Sequence, residues 1–496
     1  MRSEALALNK GQQKALEKVE NLLWWQGNED LTAFYEETGR GRCDLCISIT
    51  GQAGTGKTVL IRAIHDRWAT SHEIHVLTPT HRVKKLNIDR LQRAGHTLAS
   101  VMTLHSALGY REVSKGRGEP RFEPAGKPRL EPSGGHMVLL VDEAGMMHAA
   151  MWEVLRKYAR QLGAVLITFG DTEQLPPVGA PPGSISPSLA FMEVVAPWDS
   201  ACSCELTQQM RATGSIYAFA QEILDTEDVR KLELRERPLE GGSRVMVMPL
   251  AEAEARFLEE VRERTQQGQP DSVRFIAARN KTIDLLDFRS HRAQFGREAA
   301  RYVPGQTLLT RGPIWSPSAD LSHDGDPQII GTSAELTILE AEERPTRISL
   351  LAHDWDLWHL LVLDDDTGEQ HRILATQPSG NCVNPLMTQM ARKGRSLGWT
   401  EVSQDEDVRF IRQLDGCDCW RVHYDLLKLL GHLSTNRWAS TCHRSQGGEW
   451  DTVYIHWREL LSTACWTPDG QPDLAYARRM VYTAATRARK TLVVGV

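Results

Sequence analysis

The chain has 496 residues, which is the length of about three domains, and a formal net charge of −6. Its 58 Lys and Arg residues against 64 Asp and Glu residues exclude an overall basic coat for nucleic acid, so any such binding would use local grooves. A hydrophobic content of 41% and a charged content of 25% exclude wholesale disorder.

Cysteine usage and hydropathy bear on the cellular compartment. The nine cysteines are an odd number, and the chain start has no signal-peptide pattern, which fits reduced thiols in a cytoplasm. Cys43 and Cys46 form a CxxC pair, but no second pair follows closely, so reduced thiols are favoured over a zinc site. No wholly apolar run approaches the roughly 20 residues that span a bilayer. We expect a soluble cytoplasmic protein that binds no membrane.

Short apolar runs alternate with helical patterns in the first 200 residues. The predicted elements are strands at 45–50, 74–78, 137–142 and 164–169, with helices at 58–69 and 149–162. This alternation predicts βαβ units and a parallel sheet that binds ligands at the carboxyl ends of its strands. We assign residues 1–204 to this first domain.

One stretch, residues 111–130, breaks this alternation. It has six basic and three acidic residues, is rich in Gly and Pro, and has one aromatic side chain, Phe122. The composition predicts an exposed excursion, which is either a hairpin or a mobile surface loop.

A second α/β block begins near Glu205. The predicted elements that follow are strands at 244–248, 273–277, 452–455 and 491–494, with a helix at 250–265. Between them, from about 305 to 375, apolar and polar residues alternate, which predicts a small antiparallel β unit. The simplest division is a second α/β domain at 205–300 and 436–496, interrupted by a β-rich module with a helical extension at 301–435.

The segment from Gly51 to Thr58 matches the pattern GxxxxGK[ST] between a predicted strand and a predicted helix. Glycines allow the backbone to wrap around a phosphate with its N–H groups pointing inward. Lys57 would contact the β- and γ-phosphate oxygens, and the Thr58 hydroxyl would bind Mg²⁺. The predicted nucleotide-binding residues of this segment are Gly51, Ala53, Gly54, Thr55, Gly56, Lys57 and Thr58.

Two later strands are predicted to end in polar residues. Asp142 and Glu143 follow an apolar strand, where Asp142 would hold Mg²⁺ and Glu143 would activate the attacking water. Gln174 follows the next strand and would orient water or contact the γ-phosphate without adding charge. Viewed alone, the carboxylate pair could be a solvated strand end and the Gln174 segment a plain Pro-rich turn.

Together these residues resemble a superfamily 1 helicase of the RecD/Dda-type 5′-to-3′ branch, and residues 170–179 resemble its motif III. Further matches follow along the chain: Gln12 in an adenine-reading motif at 8–13, motif Ia at 78–82, motif Ib at 103–106, motif IV at 206–211, motif V at 441–450 and motif VI at 482–488. Motif V usually has Lys in place of Arg444, and motif VI often differs at Ala484 and Ala485.

The resemblance implies two RecA-like P-loop NTPase domains with parallel sheets. It implies a pin-like insertion at 108–136, carrying Phe122, and an SH3-like module within 301–435. Arg211 and Arg487 would reach the γ-phosphate from the second domain, which requires the two domains to close, and Glu449 would contact the nucleotide. An arginine in such a role is worth about 10³–10⁵ in rate.

The resemblance also implies a track for single-stranded DNA across both domains, made of hydroxyls, imidazoles and amides that let the strand slide. Its residues would be Thr80, His81, Thr103, His105, Phe122, Asn280, Thr441 and His443. For His105 and His443 a structural role is the alternative.

We therefore expect an ATP- and Mg²⁺-dependent DNA helicase that acts as a monomeric motor on single strands and single-strand/double-strand junctions, with partners from replication or repair. Two alternatives stay open: a translocase that displaces bound proteins with little unwinding, and a nucleotide-gated DNA-binding module.

Overall fold

The computed structural model describes residues 8–26, 45–80, 83–84, 87–88, 100–113, 121–124, 128–131, 136–177, 203–210, 214–269, 272–310, 314–315, 328–330, 334–348, 353–365, 367–375, 433–434, 438–463 and 473–496. Among them are two six-stranded sheets and one five-stranded sheet. None of the helices in this part of the chain combines the length and the apolar character that a bilayer span needs.

The first sheet and its helices form lobe 1. The strands of this region are β1 (Cys46–Gly51), β2 (Glu73–Thr78), β3 (Val101–Thr103), β4 (Tyr110–Val113), β5 (Arg121–Pro124), β6 (Met137–Val141), β7 (Val165–Gly170) and β8 (Ser203–Leu206). Six of them form a parallel sheet in the order β3-β2-β6-β7-β1-β8. The alternation of strands and helices in the sequence predicts this arrangement, and the α/β class is confirmed.

Helices cover both faces of the first sheet. They are α1 (Lys10–Gln26), α2 (Lys57–Trp68), α3 (Leu104–Leu108) and α4 (Ala149–Leu162). One core joins α1 and α2 to side chains such as Ile47 and Leu140, and a second core joins α3 and α4 to side chains such as Leu139 and Leu166. Adjacent residues of β6 thus enter opposite cores, which explains why its sequence is apolar throughout rather than alternating.

The stretch at 111–130 contains a hairpin, in which β4 and β5 pair antiparallel with Glu112 opposite Phe122. Of the two alternatives for this stretch, the structure thus has the hairpin. It lies between α3 and β6 in the chain, and its function as a strand-separating pin stays a prediction.

The remaining strands are β9 (Arg237–Glu240), β10 (Ser243–Met248), β11 (Val273–Ala277), β12 (Thr307–Thr310), β13 (Ile314–Trp315), β14 (Gln328–Ile330), β15 (Glu335–Ile348), β16 (His353–Asp364), β17 (Gln370–Ala375), β18 (Leu433–Ser434), β19 (Ala439–Thr441), β20 (Trp450–His456) and β21 (Ala488–Gly495). The helices are α5 (Ser215–Asp225), α6 (Leu250–Gln266), α7 (Asn280–Phe295), α8 (Cys442–Ser445), α9 (Trp457–Thr463) and α10 (Leu474–Ala485).

The second sheet and its helices form lobe 2. Its order is β19-β11-β20-β21-β10-β9, with β9 antiparallel and the other strands parallel. As in lobe 1, one core lies on each face: α5, α9 and α10 pack on one side, and α6 and α7 on the other. This sheet is assembled from two distant parts of the chain, as the interrupted pattern predicts.

The third sheet is antiparallel, in the order β17-β16-β15-β12-β18, and has its own core around Leu336, Leu360 and Trp358. The alternating pattern of 305–375 predicts this β unit. The helical extension expected in 376–432 lies outside the described residues, and the SH3-like assignment stays a prediction.

Several predicted boundaries differ from the structure by one to three residues, and two of these differences bear on the domains and the site. β8 continues to Leu206 within the sheet of lobe 1, because residues 203–206 pair with β1, whereas the sequence places the domain boundary after residue 204. β6 ends at Val141 and not at residue 142. Asp142 is therefore the first residue beyond the strand.

Candidate nucleotide site

The loop between β1 and α2 has the conformation that a phosphate-binding loop requires. Gly54 and Gly56 have φ angles of 87° and 86°, in the left-handed region that disfavours other residues. At Gly56 there is no room for a side chain either, because a Cβ would lie 2.3 Å from Gln12 Nε2. The Lys57 ammonium donates to the carbonyl oxygens of Gly51 and Gln52, at 2.5 and 3.1 Å. The structure thus places this cation against the loop it is predicted to serve.

Gln12 lies beneath the same loop and is buried. Its Nε2 donates to the Gly56 carbonyl at 3.1 Å, and its Oε1 accepts from the Asn9 backbone N–H at 3.0 Å. The Asn9 side chain in turn accepts from the Gln12 N–H at 2.9 Å. In this arrangement Gln12 braces the loop, and adenine reading by its amide stays a prediction.

The two carboxylates after β6 lie directly beside the loop. Asp142 is buried and accepts from Asn87 Nδ2 at 2.8 Å and from the Glu143 N–H at 3.0 Å. Glu143 has a φ of 52° and is the one non-glycine residue with positive φ in the described part of the chain. Such strain is typical of functional sites.

Burial, together with the neighbouring Asp142 carboxylate, raises the pKa of Glu143 to about 6. Lys57 and Arg487 oppose this increase in pKa, and Asp171 adds to it. A carboxyl with a pKa near neutrality is suited to accept a proton from water. Three carboxylates and two cations therefore meet in one small volume.

This crowding of carboxylates fits Mg²⁺, whose charge would relieve their repulsion. Among the described residues no ready-made cluster of three or more ligating side chains exists. Proteins usually bind Mg²⁺ through one or two side chains together with substrate phosphates and water. Thr58, at the start of α2, and Asp142 are the residues that would hold it.

Gln174 lies in the loop after β7 and is buried. Its Nε2 donates to Asp171 Oδ2 at 3.1 Å, while its Oε1 is buried without a hydrogen-bond partner among the described residues. An unpartnered buried acceptor is costly unless a ligand or water satisfies it. This geometry suits the predicted orientation of water by Gln174.

Arg487 follows the end of α10 and is 3% exposed. Its guanidinium donates to the carbonyls of Thr483 and Gly448, at 3.0 and 3.3 Å, and to the Thr486 hydroxyl at 3.0 Å. These bonds hold the cation within lobe 2, close enough to the lobe 1 carboxylates to lower the pKa of Glu143. Glu449 comes directly after Gly448 in the same loop. Arg211 lies outside the described residues.

The interface between the lobes includes residues that the sequence analysis did not assign. Leu175 N–H donates to the Thr483 hydroxyl at 3.1 Å, and Gln446 Nε2 donates to the Leu175 carbonyl at 2.8 Å. Tyr482 bonds to two parts of lobe 1, Ala53 and Asp171. These residues stand within the quoted motifs, but only the folded chain shows that they face the opposite lobe.

Apart from Phe122 in β5, the predicted DNA-binding residues of lobe 1 end or follow β2 and β3, the two strands nearest one edge of the first sheet. The Thr80 hydroxyl accepts from the Val83 N–H, and the buried Thr103 hydroxyl caps α3 by accepting from the Ser106 N–H, each at 3.3 Å. His105 lies in α3. His81 and the side chain of Phe122 lie outside the described residues.

In lobe 2 the predicted residues end or follow β11 and β19, the two strands nearest one edge of the second sheet. Thr441 ends β19 and pairs in register with Ala277, and the exposed Asn280 begins α7. His443 Nε2 lies 2.8 Å from the Tyr476 hydroxyl, and burial lowers the pKa of this histidine. This contact holds the His443 ring within lobe 2, and its role in DNA binding stays a prediction.

Two family models match the chain. Residues 41–237 match an AAA domain, and residues 436–494 match a UvrD-like helicase C-terminal domain. The first match includes the phosphate-binding loop and the carboxylates of lobe 1, and the second includes Arg487 and the returning part of lobe 2.

Individual proteins show weaker likeness. An uncharacterized protein of Acanthamoeba polyphaga mimivirus, R530, is 26% identical over 142 residues, which are 26% of this chain and 29% of that protein's length. A Bacteroides Pif1 helicase solved with ADP-AlF3 and single-stranded DNA is 15% identical, with 99% of this chain and 93% of that chain covered and a TM-score of 0.45. A structure of two coordinating Pif1 helicases at forked double-stranded DNA is 14% identical, with 99% and 92% covered and a TM-score of 0.44.

The raised pKa of Glu143 predicts a pH-dependent gain in stability for Glu143→Gln. The folded chain favours the protonated carboxyl, so ionisation between about pH 4.5 and pH 6 destabilises wild type, and the neutral amide avoids this. The variant should be more stable by up to about 2 kcal/mol above pH 6, with the gain lost below pH 4.5. Thermal unfolding of wild type and variant at pH 8 and pH 4.5 measures this difference in stability.

The control variant is Glu153→Gln, on the exposed face of α4, which should change stability little at either pH. An equal change in stability at both pH values for Glu143→Gln would contradict the raised pKa.

Proposed function

We propose that this chain, a superfamily 1 helicase of the RecD-like branch, uses ATP hydrolysis to translocate on single-stranded DNA in the 5′-to-3′ direction and to unwind duplex ahead of it. We further propose that the chain uses Mg²⁺, acts as a cytoplasmic monomer and works with replication or repair proteins.

The observation that carries the proposal is the approach of Arg487, from lobe 2, to the carboxylates of lobe 1. Burial and the Asp142 carboxylate raise the pKa of Glu143, and the Lys57 ammonium of the phosphate-binding loop and the Arg487 guanidinium of lobe 2 both oppose that increase. A triphosphate bound over that loop would lie between cations from two lobes. Cleavage of its last phosphate removes charge that holds the lobes together, which couples turnover to relative motion of the lobes.

The chemistry follows from the same geometry. Glu143 would accept a proton from the attacking water, and the free Oε1 of Gln174 would orient that water. Arg487 and Lys57 would stabilise the charge that develops on the transferred phosphoryl group. Mg²⁺, when bound by Thr58 and Asp142, would supply further neutralisation of phosphate charge.

The sheet order supports a nucleic-acid track apart from the nucleotide site. Apart from Phe122 in the β4–β5 hairpin, the predicted DNA-binding residues of each lobe end or follow the two strands nearest one sheet edge, β2 and β3 or β11 and β19. The nucleotide residues of lobe 1 follow β1, β6 and β7 instead. A strand bound at the edges of both sheets would respond to movement between the lobes without blocking the nucleotide. The Pif1 helicases bound to single-stranded and forked DNA support DNA as the substrate of those proteins.

Two other functions remain as outcomes of the tests. A translocase that displaces bound proteins would hydrolyse ATP with DNA but unwind poorly. A nucleotide-gated binding module would bind both ligands without turnover, which the raised pKa of Glu143 beside Lys57 and Arg487 argues against.

Matched duplexes with a 5′ or a 3′ single-stranded tail test the function and its polarity. We expect ATP-dependent unwinding of the 5′-tailed duplex only, because translocation must start on the tail and run toward the junction. A streptavidin-displacement assay on the same tails reports translocation without unwinding. Preference for the 3′ tail would refute the polarity, and displacement without unwinding would favour the translocase.

Glu143→Gln should retain ATP binding and lose turnover, because an amide cannot accept the proton of the attacking water. We expect a decrease in kcat of about 10²–10⁴-fold. Phosphate release with single-stranded DNA measures turnover, and binding of a fluorescent ATP analogue measures affinity. Glu259→Gln, exposed on α6, is the control. Turnover of the Glu143 variant at the wild-type rate would refute its role as the base.

Phe122→Ala should impair unwinding more than DNA-stimulated ATP hydrolysis, because the β4–β5 hairpin is proposed to separate strands and not to move them. Loss of a base–aromatic contact predicts a decrease of about 10-fold in unwinding rate. Glu123→Ala, the next residue of β5, is the matched control. Equal loss of both activities, or no loss, would contradict the pin.

A further inference from the structure

One tyrosine hydroxyl connects three parts of the nucleotide site. Tyr482, on α10 of lobe 2, is 1% exposed. Its hydroxyl accepts from the Ala53 backbone N–H and donates to Asp171 Oδ2, each at 3.3 Å. Ala53 belongs to the phosphate-binding loop and Asp171 to the loop after β7. A single group of lobe 2 thus joins the two loops of lobe 1 that would contact ATP.

The Asp171 carboxylate extends this connection to Gln174. Its Oδ2 accepts from both the Tyr482 hydroxyl and Gln174 Nε2, and its Oδ1 accepts from the Glu173 N–H at 3.0 Å. Because Nε2 is held by Asp171, the Gln174 Oε1 points away from that bond and is left to accept from water. The orientation of the water-binding atom therefore depends on a carboxylate that lobe 2 contacts.

Further contacts from beyond lobe 1 hold the outer side of the phosphate-binding loop. Gln221 Nε2, on α5 of lobe 2, donates to Gln52 Oε1 at 2.7 Å. Gln209 Nε2, in the segment that follows β8, donates to the Ala53 carbonyl at 2.9 Å. Side-chain amides from two different segments therefore bind the loop from outside.

Met210, the next residue of that segment, adds a contact to the same loop. Its backbone N–H donates to the Gly54 carbonyl at 2.9 Å. This bond joins two backbone groups, so it does not depend on the methionine side chain. Lobe 2 and the segment leading to it therefore restrain the loop at several points.

The helix that carries Tyr482 also positions Arg487. The Thr483 hydroxyl accepts from the Leu175 N–H at 3.1 Å, while the Thr483 carbonyl accepts from Arg487 Nε at 3.0 Å. Three neighbouring groups at the end of α10 thus contact the loop after β7 or orient the arginine. Any opening of the lobes that withdraws α10 removes the Tyr482 hydroxyl and the Arg487 guanidinium from lobe 1 together.

Burial and the nearby Asp171 carboxylate raise the pKa of the Tyr482 phenol above its usual value. The phenol is therefore protonated at neutral pH and can donate to Asp171. This supports a hydrogen-bonding role and gives no basis for proton transfer by the tyrosine.

We propose that Tyr482 is a positioning residue for ATP hydrolysis, whose hydroxyl fixes the Asp171–Gln174 pair against the phosphate-binding loop only when lobe 2 is docked. The inference rests on the proposed function and deepens it, since it names how closure of the lobes reaches the attacking water. The hydroxyl of Tyr482 is engaged by the Ala53 N–H and Asp171 Oδ2, so its proposed role is positioning and not catalysis. It acts through Asp171 and Gln174.

Tyr482→Phe removes the hydroxyl and keeps the ring in the lobe 2 core. We expect kcat with single-stranded DNA to fall about 10-fold, as for loss of a hydrogen bond to a charged group, while KM for ATP and the affinity for DNA change less than about twofold. Steady-state phosphate release over a range of ATP concentrations measures kcat and KM separately. A change in KM alone, or a kcat within about twofold of wild type, would overturn the proposal.

Tyr454→Phe is the matched control. Tyr454 also lies in the core of lobe 2, and its buried hydroxyl also donates to a carboxylate, Glu260 Oε2, at 2.8 Å. This pair lies on the α6 side of the sheet, in the core opposite to α10. Thermal unfolding of both variants measures any general loss of stability. An equal decrease in kcat for the two variants would assign the effect to stability and refute positioning.

The Gln174→Ala background distinguishes positioning from a local structural effect. If Tyr482 acts through Gln174, adding Tyr482→Phe to Gln174→Ala should lower kcat less than about twofold further, because the group to be positioned is already absent. A further decrease of about 10-fold would overturn the proposal.

The same measurements separate this inference from the proposed function. A wild-type chain that hydrolyses ATP without stimulation by DNA would contradict the helicase, while the comparison of variants at basal turnover would still test Tyr482. A wild-type chain with DNA-stimulated turnover that is indifferent to the loss of the hydroxyl would contradict the inference alone. A wild-type chain without turnover would contradict both.

Discussion

The nucleotide site is dominated by one interaction, the electrostatic repulsion among carboxylates that lie together where β6 and β7 end. Asp142, Glu143 and Asp171 are brought together because parallel neighbouring strands end at the same edge of the sheet. Burial, together with repulsion from the other two carboxylates, raises the pKa of Glu143, and cations from two different lobes oppose that increase. A site of this kind is stabilised when a metal ion and a phosphate group bring balancing charges, so that ligand binding and lobe closure are thermodynamically linked.

Many of the contacts between the lobes are hydrogen bonds, which use backbone groups as well as side chains. Leu175 is held from both sides, by the Thr483 hydroxyl at its N–H and by Gln446 at its carbonyl. Its own side chain packs in the core of lobe 2, although its backbone belongs to a loop of lobe 1. At another point of the interface, Gly447 approaches lobe 1 so closely that a Cβ there would lie 2.3 Å from the Val83 side chain. Lobe 2 thus holds the loop after β7 through hydrogen bonds, which can break and form again as the lobes move.

Much of the fold could be predicted from the sequence. Buried parallel strands appear there as continuous apolar runs, and phosphate-binding loops appear as glycines at fixed spacing. The strand β11 and the helix α4 have the bounds that the sequence predicts, and the Lys57 and Asp142 segments lie where a phosphate site needs them. The Tyr482 and Asp171 contacts could not be predicted in the same way. They join residues 311 positions apart, and a hydroxyl that faces the opposite lobe has the same local sequence as one that faces its own core.

The hydrogen-bond partners of His443 and Gln12 could not be predicted from the sequence either. The motif resemblance places His443 among the DNA-binding residues, but its hydrogen-bond partner, Tyr476, comes from a helix 33 positions later in the chain. Likewise, the Gln12 amide is engaged with Gly56, a contact that depends on the packing of α1 beneath the loop. Spacing along the chain identifies which residues reach a site, whereas the distribution of their hydrogen bonds depends on packing between distant elements.

The pairing of β12 with β18 has a consequence for how the chain tolerates change. Thr310 lies in register with Leu433, so the third sheet is entered and left through adjacent strands. Its connection to lobe 2 is equally compact, because Trp438, just before β19, donates from its indole nitrogen to Gln294 at the end of α7, at 3.3 Å. An insertion whose two ends meet leaves the host sheet uninterrupted in space. Insertions, deletions or replacement within this module can therefore be tolerated in evolution while lobe 1 and lobe 2 keep their architecture.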